Sequence, residues 1–327
     1  MMTTNTDIRE IVDAIHTRQR FVLSSHSRPD GDSIGSQLAM AYALRALGKD
    51  VVVVNADPAP APLMQFPGVP EIRIASQVEG TFDAAIIMEC SDLSRTGVAG
   101  LDRSFVINID HHPGNSGFGQ LTWFDSTAAA CGEMVFDLVR TLGAPLSPEV
   151  ATHVYLAIFT DTGSFHYSSI SPRTFDICRQ TLEAGVDPVL VARKVHDSYS
   201  LGRLKLFGAM MGAMQIDATG RIAVVYLDHQ MAREAGGTYD DTEGLVNQPL
   251  TVKEIQVVVF FKQTDGEEYR VSLRSKGDID IGAVAKSFGG GGHKNAAGCT
   301  VTGGIDALQK LFIEKIEHAI DGRPADR

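Results

Sequence analysis

Apolar runs punctuated by polar loops dominate the first half of the chain. Phe21-Val22-Leu23 reads as a strand, 33–47 carries helical apolar spacing closed by Gly48, and the four valines at 51–54 read as a second strand. Continuous apolar strands without polar alternation belong to a sheet covered on both faces, so this stretch predicts a βαβ unit. Further strands are predicted at 84–88 and 105–109, and helices at 129–142, 148–159 and 172–183. The fold class that follows is α/β, with a mostly parallel sheet flanked by helices. After Asp187-Pro188 the pattern turns helical and mixed. Strands then recur at 222–227, 255–261 and 269–274, the last two joined through Thr264-Asp265-Gly266 as a hairpin. A length of 327 residues fits two cores. We expect one domain over 1–186, a helical linker over 187–212 and a smaller α/β domain over 213–327.

The formal net charge of -11 argues against a general nucleic-acid coat protein, because nonspecific binding neutralises phosphates with Lys and Arg. A local exception runs from 270 to 294, where Arg270, Arg274, Lys276, Lys286 and Lys294 outnumber Asp278 and Asp280. Cys90, Cys131, Cys178 and Cys299 are scattered with no C-x-x-C pair, so neither a zinc knot nor a disulfide framework is expected. No apolar run approaches a membrane span and the N-terminal residues lack a targeting pattern, which predicts a cytoplasmic protein with no membrane partner.

Four separated pieces put metal-ligand residue types at the ends of apolar runs. They are His26-Ser27-Arg28-Pro29-Asp30-Gly31-Asp32, Glu89-Cys90-Ser91-Asp92, Asp110-His111-His112 and Thr160-Asp161. In parallel sheets functional loops lie beyond the carboxyl ends of the strands, and three of the four pieces directly follow predicted strands. Asp32 alone reads as a helix cap and Asp30-Gly31 as a turn, but neither requires the imidazole of His26. Brought together, these carboxylates and imidazoles cannot all stay ionised without cations, so a polynuclear metal site is the leading expectation. Successive side chains leave opposite faces, which gives His111 and His112 different jobs, one toward metal and one toward substrate. Asp110 is placed to orient an imidazole.

The run Gly289-Gly290-Gly291-Gly292 ends in His293-Lys294 and follows a strand carrying Arg274 and Lys276. Consecutive glycines let backbone N–H groups approach an anion, and the neighbouring cations add charge, so we read a phosphate or carboxylate grip. The run does not fit the Walker pattern, which disfavours a nucleoside triphosphatase.

The ordered pieces resemble the DHH phosphoesterases, named for the triplet that stands here as Asp110-His111-His112. Residues 288–298, preceded by 271–276, are similar to the signature of a DHH-associated C-terminal domain, and the resemblance covers roughly residues 15–320. It implies two divalent ions, usually manganese, sharing a bridging carboxylate. One ion would take His26, Asp30 and Glu89, and the other Asp32, Glu89, His111 and Asp161. The commoner pattern has aspartate where this chain has Glu89, which leaves a role for Asp92 open. His112, with Asp110 behind it, would stabilise the phosphoryl group or assist the leaving oxygen. Arg274, Ser275, Lys276, Gly290, Gly291, Gly292 and His293 would hold substrate.

The two-domain arrangement looks most like family members that degrade very short RNAs and dephosphorylate 3'-phosphoadenosine 5'-phosphate. The expected partners are short single-stranded RNA or nucleotides, with a homodimer as the candidate assembly. The rivals are a phosphodiesterase of cyclic or linear dinucleotides such as c-di-AMP and pApA, and a noncatalytic nucleotide sensor. No basic, aromatic-rich track suggests a nuclease of long strands.

Overall fold

The central strands of the first half are apolar on both faces because both faces are covered. In the computed structural model, which describes residues 5–166, 170–239, 242 and 244–322, the chain divides into two compact units, Met1–Ser198 and Tyr199–Arg327. The first unit holds a six-stranded sheet of β1 (Arg20–Ser24), β2 (Asp50–Asn55), β3 (Arg73–Ile74), β4 (Ala84–Met88), β5 (Phe105–Asp110) and β6 (Leu121–Phe124). All neighbours are parallel, in the order β3-β2-β1-β4-β5-β6. Phe21 and Leu23 enter the core shared with the helices, while Val22 joins Ala85, Ile87 and Val106 on the opposite face. Short 3-10 turns such as Leu93–Thr96 and Leu101–Arg103 help cover that second face.

The helices of this unit are α1 (Ile8–His16), α2 (Gly31–Ala46), α3 (Cys131–Thr141), α4 (Pro148–Asp161), α5 (Pro172–Glu183) and α6 (Pro188–His196). Helix α2 is buried on nearly every side, and small residues let α4 lie directly against it. A Cβ on Gly35 would stand 2.6 Å from the His153 carbonyl oxygen, and one on Gly31 would stand 2.3 Å from Thr160 Oγ1. This close crossing brings the C-terminal end of α4 to the N-terminal end of α2, beside the carboxyl ends of β1, β4 and β5. The strand order reverses direction between β1 and β4, the place where open α/β sheets leave a crevice.

The second unit contains α7 (Leu201–Gly212), β7 (Gln215–Ile216), β8 (Ile222–Leu227), α8 (His229–Ala235), β9 (Val257–Asp265), β10 (Glu268–Ser275), α9 (Ile281–Ser287), β11 (Gly291–His293), β12 (Ala296–Thr302) and α10 (Ile305–Ile320). Its sheet is mixed, in the order β11-β12-β10-β9-β8-β7, with β8 and β9 parallel. Helices α9 and α10 pack on one face, through Ile281, Val284, Phe312 and Ile316. Helices α7 and α8 pack on the other, through Leu206, Met210 and Ala232. Within 187–212, α6 therefore buries Val191 in the first unit's core and α7 buries Leu206 in the second unit's core. No helix of the described residues is long and apolar enough to cross a membrane.

Candidate metal centre and anion cleft

The loop after β1 is shaped by its caps. Asp30 is the N-cap of α2, its Oδ1 accepting from Ser33 N at 2.9 Å, so the helix starts at Gly31, two residues before the expected position. Asp32 then lies inside the first turn, 1% exposed, and its carboxylate reaches across to α3. It accepts from Cys131 N at 2.6 Å, Gly132 N at 3.0 Å and Ser36 Oγ at 2.8 Å. The N-cap of α3, Ala130, has no side-chain acceptor, so Asp32 satisfies the helix's orphan amides from another element. His26 donates from Nδ1 to its neighbour Ser27's carbonyl at 2.9 Å and meets Ser33 Oγ with Nε2 at 2.8 Å.

Glu89 follows β4 with φ 58, a left-handed backbone that costs a side-chain-bearing residue energy and aims the carboxylate inward. Beyond β5, His111 donates from Nδ1 to the Ala128 carbonyl at 3.1 Å, which orients the ring and turns Nε2 toward the cluster. That Nε2 lies 2.9 Å from Glu89 Oε1, 3.5 Å from Asp161 Oδ2 and 3.8 Å from Asp32 Oδ2. His111 Nε2 and Glu89 Oε1 are both buried without an aligned hydrogen-bond partner. Three sets of ligand atoms lie within 4.8 Å of one another: His26 with Asp30 and Glu89, Asp32 with His111 and Asp161, and Glu89 with His111 and His112.

The electrostatics describe a pocket short of positive charge. Burial, then repulsion from Asp32, pushes Glu89 well above the ordinary carboxylate range. Burial, then Asp32, raises Asp161 to about 7. Burial also raises Asp32, despite the nearby His111. At His111 burial works downward, yet Glu89, Asp32 and Asp161 outweigh it and lift the imidazole to about 10. Asp30 is the exception: burial pushes it up, but His26 and the Ser33 amide bring it to about 2. Converging lone pairs from carboxylates and imidazoles, two of them orphaned, fit divalent cations.

Asp110 and His112 form a separate arm. Asp110 Oδ1 accepts from His112 Nδ1 at 2.9 Å and His112 N at 3.2 Å, while Oδ2 accepts from Asn115 Nδ2 at 2.7 Å. Burial raises Asp110, but these donors hold it below the usual range. His112 therefore keeps Nε2 free of its carboxylate, and its side chain is one-third exposed. Asn115 also bonds Asn108 at 2.9 Å, extending the support into β5. Neither asparagine was picked out from the sequence, although a lone amide inside the apolar Val106-Ile107-Asn108-Ile109 run was a visible signal. Asp92 is spent on capping, its Oδ1 accepting from Ser94 N and Oγ at 2.9 and 2.6 Å, and it is in none of the three ligand sets.

In the second unit a cleft of about 590 Å³ is lined by Arg270, Ser272 and Arg274 from β10, by Gly289–Gly292, and by the small residues of β12. Alternation explains the lining: Arg270, Ser272 and Arg274 share one face of β10 while Val271 and Leu273 enter the core. A Cβ on Gly290 would meet Gly298 O at 2.2 Å and one on Gly292 Ala296 O at 2.5 Å, whereas a Cβ on Gly291 would meet nothing within 4 Å. Burial lowers Arg274. Ser275 and Lys276 do not line the cleft. Ser275 Oγ donates to Ile279 O at 2.8 Å, and Lys276 Nζ donates to Val252 O at 2.7 Å. The side chain of His293 lies outside the described residues.

Residues 20–158 match the DHH family, N-terminal domain, and residues 219–321 match the DHHA1 domain. The chain is 33% identical over 303 residues to a bifunctional oligoribonuclease and PAP phosphatase, NrnA, of Thermus thermophilus, covering 91% of this chain and 89% of the relative. A crystal structure of an exopolyphosphatase-related protein from Bacteroides fragilis superposes with a TM-score of 0.88 at 28% identity, over 95% of this chain and 96% of that one. RecJ of Thermus thermophilus, solved in complex with Mn2+, shares the fold at a TM-score of 0.53 and 16% identity, over 98% of this chain and 56% of its own.

Proposed function

The chain belongs to the DHH family, and on that premise we propose that it is a divalent-metal-dependent phosphoesterase. Its substrates in this reading are very short oligoribonucleotides and 3'-phosphoadenosine 5'-phosphate, the latter yielding AMP. The observation that carries the reading is the meeting of His111 Nε2 and Glu89 Oε1, both buried and orphaned, with Asp32 and Asp161 alongside. The relative from Thermus thermophilus, named for both activities, supports it along most of the chain.

We assign His26, Asp30 and Glu89 to one cation and Asp32, Glu89, His111 and Asp161 to the other, with manganese as the physiological ion. The chemistry such a pair supplies is activation of water near neutral pH and neutralisation of charge at the phosphoryl group. His112, oriented by Asp110, presents Nε2 to a phosphoryl or leaving-group oxygen. Arg274 and the amides of Gly290 to Gly292 hold the anionic part of the nucleotide, in a cleft whose lining contains no carboxylate. The four buried free thiols suit a reducing cytoplasm.

The test is hydrolysis with manganese of a panel containing di- to decaribonucleotides, 3'-phosphoadenosine 5'-phosphate, pApA and pyrophosphate. The shortest RNAs and the bisphosphate should turn over fastest, and His111→Ala or Asp161→Ala should abolish turnover. Equal rates on long and short strands defeat the short-substrate reading, and exclusive hydrolysis of pyrophosphate replaces it.

A further inference from the structure

Arg270 is the residue of the anion cleft that neither sequence motif absorbs. It lies on the same face of β10 as Arg274, four residues away, with Ser272 between them. At ~3.3 Å per residue the two Cα atoms stand about 13 Å apart along the strand. Arg274 is partly buried, and its Nη1 donates to the Leu273 carbonyl at 2.9 Å. Arg270 is exposed and has no ion-pair partner among the described residues. Its cross-strand neighbour on β12 is Thr300, and Arg274 stands opposite Ala296 with Gly298 between, so small side chains keep the floor between the two guanidiniums open.

In a protein of net charge -11, a cleft lined by two arginines and no acid selects anions. Two cationic poles that far apart along a strand suit a ligand whose anionic groups are also spread out. Adjacent backbone phosphates flank one ribose just as the two phosphates of a 3',5'-bisphosphonucleoside do, so a separation of about 13 Å is met by phosphates two steps apart in an oligonucleotide and not by the bisphosphate.

We propose that Arg270 is a substrate-length determinant: it contacts a backbone phosphate beyond the nucleotide held at Arg274 and the glycine run, and so favours oligonucleotides over a lone bisphosphonucleoside. This inference rests on the oligoribonuclease reading above. An exposed guanidinium–phosphate pair contributes modestly, so the effect on affinity is about three- to fivefold.

The experiment compares wild type with Arg270→Ala and Arg270→Lys in two measurements. In the first, KM and kcat are determined for a pentaribonucleotide and for 3'-phosphoadenosine 5'-phosphate with manganese. Arg270→Ala should raise the pentanucleotide-to-bisphosphate KM ratio about three- to fivefold, with kcat for the pentanucleotide held, and Arg270→Lys should restore part of the difference. In the second, binding of the pentanucleotide and of AMP is measured by calorimetry in EDTA, where no hydrolysis occurs. Selective loss of pentanucleotide binding there supports the length pole even if the protein proves inactive as a nuclease, which separates this inference from the functional reading. An unchanged ratio in both measurements, or equal weakening of both ligands, overturns it.

Discussion

Replacing Gly35 with alanine sets two opposed effects against each other at the contact that assembles the candidate metal centre. Alanine is the better helix former, and in a helix interior the exchange gains about 1 kcal/mol. The added Cβ, however, would stand 2.6 Å from the His153 carbonyl oxygen and 2.8 Å from Ala157 N, both backbone atoms of α4. Backbone cannot swing aside like a side-chain tip, so the overpacking cost belongs near the upper part of its usual range, about 2.5 kcal/mol. The net destabilisation is then about 1.5 kcal/mol, or a fall of about 4 °C in Tm for a unit of this size. The only tryptophan, Trp123, lies in β6 and packs against the same core, so its fluorescence follows unfolding of this unit. The control is Gly208→Ala in α7, where the new Cβ meets nothing within 4 Å, and circular dichroism should show a gain of about 0.5–1 kcal/mol. A Trp123 transition for Gly35→Ala at or above the wild-type temperature refutes the claim that backbone proximity sets the α2–α4 crossing.

Other outcomes follow from the same geometry. His153 is fully buried with Nε2 unpartnered, and burial lowers it to about 4. The unfolded imidazole binds its proton near pH ~6.5, so stability is complete above that value and falls as pH drops toward 4, by about 3 kcal/mol; urea titrations across this window should show the slope, and His153→Gln should flatten it. Asp110→Asn removes the charge and turns one of the two acceptor oxygens into an NH2 that must face either His112 Nδ1 or Asn115 Nδ2, so the hold on His112 weakens, and steady-state kinetics should show kcat reduced about 10- to 100-fold with a smaller change in KM. Gly291→Ala should fold normally and weaken nucleotide binding, because its Cβ enters open cleft. Gly290→Ala should lower the melting temperature, because its Cβ collides with the Gly298 carbonyl. Equal melting temperatures for the two glycine variants would sink that distinction.

The strands that carry the candidate metal centre were legible because continuous apolar runs such as Ala84 to Met88, too short to span a membrane, leave few alternatives to a buried strand. Weaker signals went unread. Helix α1 fully buries just Ile11 and Ile15, with Ile8, Val12 and Ala14 half-buried beside them, and β6 is four residues long. Strand β12 is masked by its own Ala296, Ala297 and Gly298, residues suited to close approach to β10 and β11 rather than to strand propensity. At the site, the sequence pointed to the residues that the fold gathers around His111, since each sits at the end of an element. What it did not disclose was the second use of Asp32 as the cap of α3, which depends on a contact 99 residues away. In the cleft, motif adjacency grouped Arg274 with Ser275, whereas the two-residue period of β10 sends them to opposite faces and pairs Arg274 with Arg270.

The backbone at Glu89 carries one more implication. Asparagine and aspartate tolerate φ 58 better than glutamate does, so this position keeps its longer acid against a conformational preference worth about 1 kcal/mol. The extra methylene extends the carboxylate toward His111, and a shorter acid would relax the chain while withdrawing the oxygen from the imidazole. With Glu89 in its proposed ligand role, robustness and metal binding pull this residue in opposite directions, and a search for heat-tolerant variants that ignored activity would be drawn to the substitution that shortens a proposed ligand.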